Sequence, residues 1–212
     1  YRLNPVFMAA SPRNVTPVLN YEEEEATILG LSSGKSVTMD LFVEETGNVS
    51  HLAELAAEVQ PDIVHISCHG AIEHSGNLCK PYLSLETATG DEDTVGPGDL
   101  DHEFAQNRPR LIFLSACTTA QSYSNSGAGH SENFCSFSQS LIKHGFDTVL
   151  GWSGSVGDRE ASRFAEVLYR NLSLGATVEN AVARARFELT IPLPGAIPEH
   201  ESSDWHLARL HL

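Results

Sequence analysis

Short apolar runs and longer amphipathic segments alternate along most of the chain. Runs of strand length, rich in β-branched and aromatic residues, predict strands at residues 6–10, 36–45, 62–67, 82–86, 110–115, 148–152 and 205–212. Apolar residues at helical spacing predict helices at residues 16–31, 98–106, 134–144, 159–172 and 177–189, and a further helix that opens at Ser50. Ser50 and Thr177 are the candidate N-caps. The apolar positions expected in the first helix are Val18, Leu19, Ala26, Ile28 and Leu29.

Strands that alternate with helices of this length are typical of a mostly parallel sheet with helices on both faces. We therefore predict an α/β fold of three layers. The sequence has neither an internal repeat nor a second apolar core, so residues 1–212 are expected to form a single domain. Because the chain begins with Tyr1 and not with Met, we expect it to be a fragment of a longer protein.

The chain is acidic, with a formal net charge of −15 at pH 7, and its basic residues form no stripe. Direct binding to nucleic acid or to an anionic membrane is therefore not expected, whereas a basic peptide or partner would be attracted. No apolar run approaches the roughly 18 residues of a membrane-spanning helix. The four cysteines lack the spacing of a disulfide framework, which favours a reducing compartment, and we expect a cytoplasmic protein.

Two predicted strands end close to residues that suit catalysis. The strand at 62–67 is followed by His69, and the strand at 110–115 is followed by Cys117. If these strands are parallel neighbours, the two side chains meet at one sheet edge, about 5 Å apart, where open α/β sheets bind ligands. A thiol needs deprotonation to attack a carbonyl carbon, and a neighbouring imidazole supplies the base and later the acid. Cys117 is the candidate nucleophile and His69 its catalytic partner.

Gly70 fits the same chemistry, because a residue without Cβ lets the backbone pass close to a substrate. The N–H groups of Gly70 and Cys117 are the candidate oxyanion hole. Cys68 should point away from His69 on its strand, and we expect it to be a buried structural residue. A buried structural role is also the alternative for Cys117, and the pairing of the two strand ends favours catalysis over it.

A metal site is another hypothesis for the cluster of His65, Cys68, His69, His74 and Cys79. Its spacing matches no tetrahedral zinc pattern. In addition, His65 and His69 on one strand would lie about 13 Å apart, too far to share an ion. The chain also has no phosphate-binding loop. We therefore expect neither a metal nor a cofactor.

Five segments of the sequence carry a resemblance to a known family. They are D-I-V-H-I-S-C-H-G (Asp62–Gly70), R-P-R-L-I-F-L-S-A-C-T-T-A (Arg108–Ala120), V-L-G-W-S-G-S-V-G-D-R-E-A-S-R-F-A-E-V-L-Y (Val149–Tyr169), A-V-A-R-A-R (Ala181–Arg186) and the terminal strand from Trp205. Together they resemble the CHAT peptidases, caspase-like domains that accompany tetratricopeptide-type helical repeats. The resemblance implies a caspase-like three-layer sandwich of the caspase–separase superfamily, with a His-Cys dyad at His69 and Cys117.

The resemblance also implies a cysteine endopeptidase that cleaves a partner protein within a bacterial defence or signalling assembly. Related families often prefer a basic P1 residue, and Asp158 falls where separase-like enzymes carry an acid near the S1 pocket. Some CHAT proteins accept apolar P1 residues, and Asp158 is equally a candidate N-cap for the helix at 159–172. The family further implies an upstream helical-repeat region or a regulatory partner. The alternative is a catalytically silent scaffold of the same fold that acts by partner binding.

Residues 121–133 follow the candidate nucleophile and are rich in Ser, Gly and Asn, with Tyr123 as the only large apolar side chain. A loop that buries so little surface does not offset its ordering entropy. We expect it to be mobile in the free protein and to become ordered over a bound substrate or inhibitor. An inert surface insertion is the alternative.

Overall fold

The helices and strands come from a computed structural model, which describes residues 2–33, 38–75, 78–117, 119, 121, 123–124, 134–191 and 204–212. The strands are β1 (Pro5–Ala9), β2 (Phe42–Glu44), β3 (Ile63–Ser67), β4 (His69–Ser75), β5 (Leu78–Glu86), β6 (Glu92–Val95), β7 (Leu111–Ser115), β8 (Tyr123–Ser124), β9 (Phe134–Cys135), β10 (Val149–Trp152) and β11 (Ala208–His211). The helices are α1 (Glu22–Ser32), α2 (Val49–Val59), α3 (Pro97–Glu103), α4 (Phe137–Lys143), α5 (Asp158–Ser173) and α6 (Val178–Leu189). A short 3-10 helix, Asp204–His206, precedes β11.

The central sheet has six strands in the order β11-β10-β7-β3-β1-β2. Each neighbouring pair is parallel except β10 and β11, which are antiparallel. Every residue of β3 and β7 is buried, as expected for central strands that are covered on both faces. The predicted α/β fold with a mostly parallel sheet is confirmed.

Helices cover both faces of the central sheet. On one face α1, α5 and α6 pack around a core that includes Phe7, Phe113, Trp152, Phe164 and Tyr169. On the other face α2, α3 and α4 pack around a core that includes Val6, Ile66, Ile112, Leu52 and Phe137. Since successive strand residues point to opposite faces, the neighbours Ile112 and Phe113 belong to different cores.

A second, antiparallel sheet of β4, β5 and β6 begins where β3 ends. Only Cys68 separates β3 from β4. The sequence predicted a single strand at 82–86 in this region, because the hairpin is half-exposed and shows little apolar alternation. The two sheets meet at His69, the first residue of β4.

The first helix begins at Glu22 and not at residue 16 as predicted. Residues 16–20 form a segment without regular structure, and the Pro17 carbonyl within it contacts the side chain of His69 in the second sheet. The buried face of α1 also differs from the prediction. It carries Glu24 and Ile28, whereas Val18 and Leu29 are exposed.

Other boundaries shift by a few residues. Asn48 and not Ser50 caps α2, because the Asn48 side chain accepts from two backbone N–H groups of the first turn. Thr177 caps α6 as predicted. The predicted helix at 134–144 begins at Phe137, and the strand expected at 36–45 is limited to β2 in the described residues. The loop expected at 121–133 lies outside the described residues, apart from 121, 123 and 124.

Candidate active site

The ends of β3 and β7 bring His69 and Cys117 together. The strands are parallel neighbours in which Ser67 lies opposite Ser115. His69 and Cys117 each follow these paired residues by two positions, so they lie side by side at the carboxyl edge of the sheet. Both are half-buried and line one pocket of about 360 Å³.

A backbone carbonyl fixes the ring of His69. Its Nε2 lies 2.8 Å from the carbonyl oxygen of Pro17, in the segment before α1. Since a carbonyl oxygen can only accept, Nε2 carries the proton in this hydrogen bond. In the neutral ring the lone pair is then on Nδ1, the nitrogen that remains to act as a base.

Gly70 lies against the backbone of Cys117. A Cβ at position 70 would overlap the Cys117 carbonyl oxygen and would lie 3.4 Å from the Cβ of Ala116. We expected this glycine to make room for a substrate. The structure shows a further reason for a glycine here, because the missing Cβ lets the end of β7 pack against the start of β4.

Thr119 links the turn after Cys117 to β10 by hydrogen bonds. Its hydroxyl donates to the Ala116 carbonyl at 3.0 Å and accepts from the Trp152 N–H at 3.2 Å. A Cβ at Gly151 would lie 2.5 Å from the Thr119 Oγ1, so β10 must approach this turn through a glycine. Apart from the glycine itself, no sequence pattern indicates this contact.

Cys68, the residue between β3 and β4, is buried as expected in the core that α2, α3 and α4 cover, and it also lines the pocket. Burial raises the pKa of its thiol far above the usual range, and the neighbouring Cys117 adds to the rise. A thiol with such a pKa is a poor nucleophile. Cys117 is therefore the cysteine that the described pocket offers for chemistry.

Asp158 lines the same pocket as the dyad and is exposed. It is the first residue of α5, and the N-cap is Gly157. The alternative in which Asp158 caps this helix is therefore wrong. Its carboxylate still lies in the first turn of α5, where a negative charge interacts favourably with the helix dipole.

Glu24 is the pocket residue that sequence reasoning missed. Its carboxylate accepts from the hydroxyl of Ser67 at 2.7 Å and from that of Ser115 at 3.0 Å, and so joins the ends of β3 and β7. It is 4% exposed and also lines the pocket. The signal available in the sequence was its position four residues before Ile28, which places both on one helix face.

Burial alone would raise the pKa of Glu24, but its neighbours reverse the shift. The neighbouring His65, together with the two serine hydroxyls, holds the pKa of this carboxyl below its usual value. His65 Nε2 lies 3.4 Å from Glu24 Oε1, an ion-pair distance without hydrogen-bond geometry. A carboxyl with a lowered pKa is ionised at neutral pH, so Glu24 brings a negative charge to this pocket.

Within the described residues, no three His, Cys, Asp or Glu side chains are grouped as a metal site would require. In the same part of the chain, no helix has the length and apolar character to cross a membrane.

One family model matches nearly the whole chain. It is described as the CHAT domain and covers residues 4–210. Among curated protein sequences, none matches.

Solved structures of cysteine peptidases share the fold. A secreted C11 cysteine protease from Bacteroides thetaiotaomicron, in complex with an irreversible peptide inhibitor, matches with a TM-score of 0.58 and 11% identity over 95% of this chain. Caspase-1 from Spodoptera frugiperda matches with a TM-score of 0.53 and 10% identity over 99% of this chain and 87% of its own. Separase from Saccharomyces cerevisiae, in complex with securin, matches with a TM-score of 0.52 and 13% identity over 99% of this chain.

At these identities the likeness shows the fold, which is caspase-like. The chain spans 63% of the length of the C11 protease and 12% of the length of the separase chain.

Proposed function

The chain is a member of the CHAT family, and from that premise we propose that it is a cysteine endopeptidase with Cys117 as nucleophile and His69 as general base. The family and its caspase-like fold support a cysteine-protease type of function. The observation that carries the proposal is the position of Cys117 and His69 at adjacent parallel strand ends in one pocket.

In this mechanism the Nε2–H of His69 stays hydrogen-bonded to the Pro17 carbonyl, and Nδ1 takes the proton of the Cys117 thiol. The thiolate attacks the carbonyl carbon of the scissile bond, and the N–H groups of Cys117 and Gly70 hold the oxyanion. Nδ1 then gives the proton to the leaving amine, which leaves an acyl group on Cys117. Water, deprotonated by His69, attacks this acyl carbon and releases the carboxylic acid and the free thiol.

The substrate in this proposal is a protein partner that is cut after a basic residue, in a bacterial defence or signalling assembly of the cytoplasm. The acidic pocket residue Asp158 supports the basic P1 preference. A helical-repeat region or a regulatory partner would control access to the site. The second candidate function is a scaffold of the same fold without catalysis, and the labelling experiment below separates the two.

A peptide acyloxymethyl ketone with Arg at P1 is expected to alkylate Cys117 and to leave Cys68 and Cys79 unmodified. Both Cys117 and Cys68 line the pocket, but Cys68 is 2% exposed and burial raises the pKa of its thiol. Mass spectrometry of proteolytic fragments measures the site of labelling. A His69→Ala variant is the control and should label far more slowly. If Cys117 is not labelled, the scaffold function takes the place of the peptidase.

Replacing Asp158 with Asn is expected to lower kcat/KM about tenfold for substrates with Arg at P1 and to change it little for Leu substrates. Asp158 is exposed, so its charge is screened and contributes less than a buried one. Steady-state kinetics on paired fluorogenic peptides measure the ratio. Glu160→Gln, in the same helix turn but outside the pocket lining, is the matched control. An apolar P1 preference in the unsubstituted protein would contradict the assignment.

A further inference from the structure

We propose that Glu24 is a specificity-determining residue that binds the positive charge of the P1 side chain. The inference rests on the proposed peptidase function and adds a second carboxylate to the site. Asp158 is the exposed carboxylate of the pocket and Glu24 is the buried one. A P1 Arg or Lys would meet both.

The first argument is the charge of the pocket. Among the described residues that line it, Glu24 and Asp158 are the carboxylates, and neither Lys nor Arg is present. His69 is the one basic side chain there, and it is engaged by the Pro17 carbonyl. A cationic side chain that enters this pocket gains attraction, while an acidic one is repelled.

The second argument is the state of Glu24 itself. An ionised carboxylate at 4% exposure is costly unless it is paired. Within the described part of the chain, the basic side chain at ion-pair distance is His65. That imidazole is fully buried, is not among the residues that line the pocket, and is stacked on Phe113 with ring centroids 4.3 Å apart. A guanidinium or ammonium group in the pocket would supply a stronger partner.

The third argument is hydrogen-bonding capacity. The two oxygens of a carboxylate accept at about four lone-pair sites. Ser67 and Ser115 donate to one oxygen each, and His65 Nε2 faces one of them. Glu24 can therefore keep its ties to β3 and β7 and still accept from a ligand, so binding and positioning are compatible.

Three peptides that differ only at P1, with Arg, its uncharged isostere citrulline, or Leu, test the inference. For Glu24→Gln we expect kcat/KM on the Arg peptide to fall about 100-fold, as is typical when one partner of a buried charge pair is removed. The Leu peptide should stay within about threefold, because glutamine keeps the size and polarity of the side chain. Glu23→Gln, an exposed neighbour on α1, is the matched control and should retain the Arg-to-citrulline ratio.

An unchanged Arg-to-citrulline ratio in Glu24→Gln would overturn the inference and leave the peptidase function standing. If no peptide is cleaved by the unsubstituted protein, both fail together. Should Glu24→Gln not fold, Asp158→Asn decides the matter on the same peptides. Arg discrimination that persists without the Asp158 charge supports Glu24, and its complete loss overturns the proposal.

Discussion

Alanine in place of Cys117 or His69 is expected to abolish peptide cleavage, with a loss of at least about 10³-fold in kcat/KM, as for other nucleophile–base pairs. Removing the thiol takes away the attacking atom, and removing the imidazole takes away the base that accepts the thiol proton. Both side chains are half-buried at strand ends outside the two cores, so the fold should persist. Peptide kinetics and thermal melting of each variant measure the two effects separately.

The chain supplies its own control for this experiment. Cys79 Sγ lies 3.4 Å from His74 Nδ1 across the β4–β5 hairpin, which gives a second thiol–imidazole contact away from the pocket. Cys79→Ala and His74→Ala should leave cleavage unchanged. Full activity in Cys117→Ala would refute the nucleophile assignment, and Cys68, which also lines the pocket, would become the next candidate.

Gly70→Ala is expected to cost about 100-fold in kcat/KM. The added methyl group would overlap the Cys117 carbonyl oxygen, and since this neighbour is backbone, no side-chain rotation relieves the clash. The start of β4 and the turn at Cys117 must then move apart by about an ångström, and a misplacement of that size typically costs two orders of magnitude in rate. Overpacking of this kind also costs about 1–3 kcal/mol of stability.

Gly98→Ala is the matched control, because nothing lies within 4 Å of a Cβ at that helical position. It should keep full activity and slightly raise the melting temperature, since alanine has a higher helix propensity than glycine. Kinetics and melting curves of the two variants give the comparison. Wild-type activity and melting in Gly70→Ala would show that the strand ends are not as close as the structure places them.

Much of the central sheet could be predicted from the sequence. Strands β3, β7 and β10 are buried on both faces, and such strands appear as continuous apolar runs. The second sheet was largely missed, because β4 and β6 are half-exposed and mix polar with apolar residues. The start of α1 was missed because apolar residues before Glu22 imitate a helical face, while in the structure Val18 is 77% exposed.

The parts of the site that consist of side chains at strand ends could be predicted, whereas those that consist of backbone groups could not. His69 and Cys117 follow two apolar strands, which makes their meeting an expectation of sheet geometry. The Pro17 carbonyl that orients His69 has no sequence signature, since every residue carries such an acceptor. Glu24 lies in a run of four glutamates that looks like a solvated surface. Its spacing from Ile28 is a weak signal, and its contacts with Ser67 and Ser115 distinguish it from the other three.

The junction at Cys68 has a mechanical consequence. Strand β4 is seven residues long and is paired with β5 along its whole length, so it is a stiff arm of about 20 Å. One end of this arm carries His69, and the other ends at Ser75. The arm is joined to the central sheet at the end that carries His69. A partner protein that binds the far end of this arm is therefore expected to shift His69 without touching the pocket.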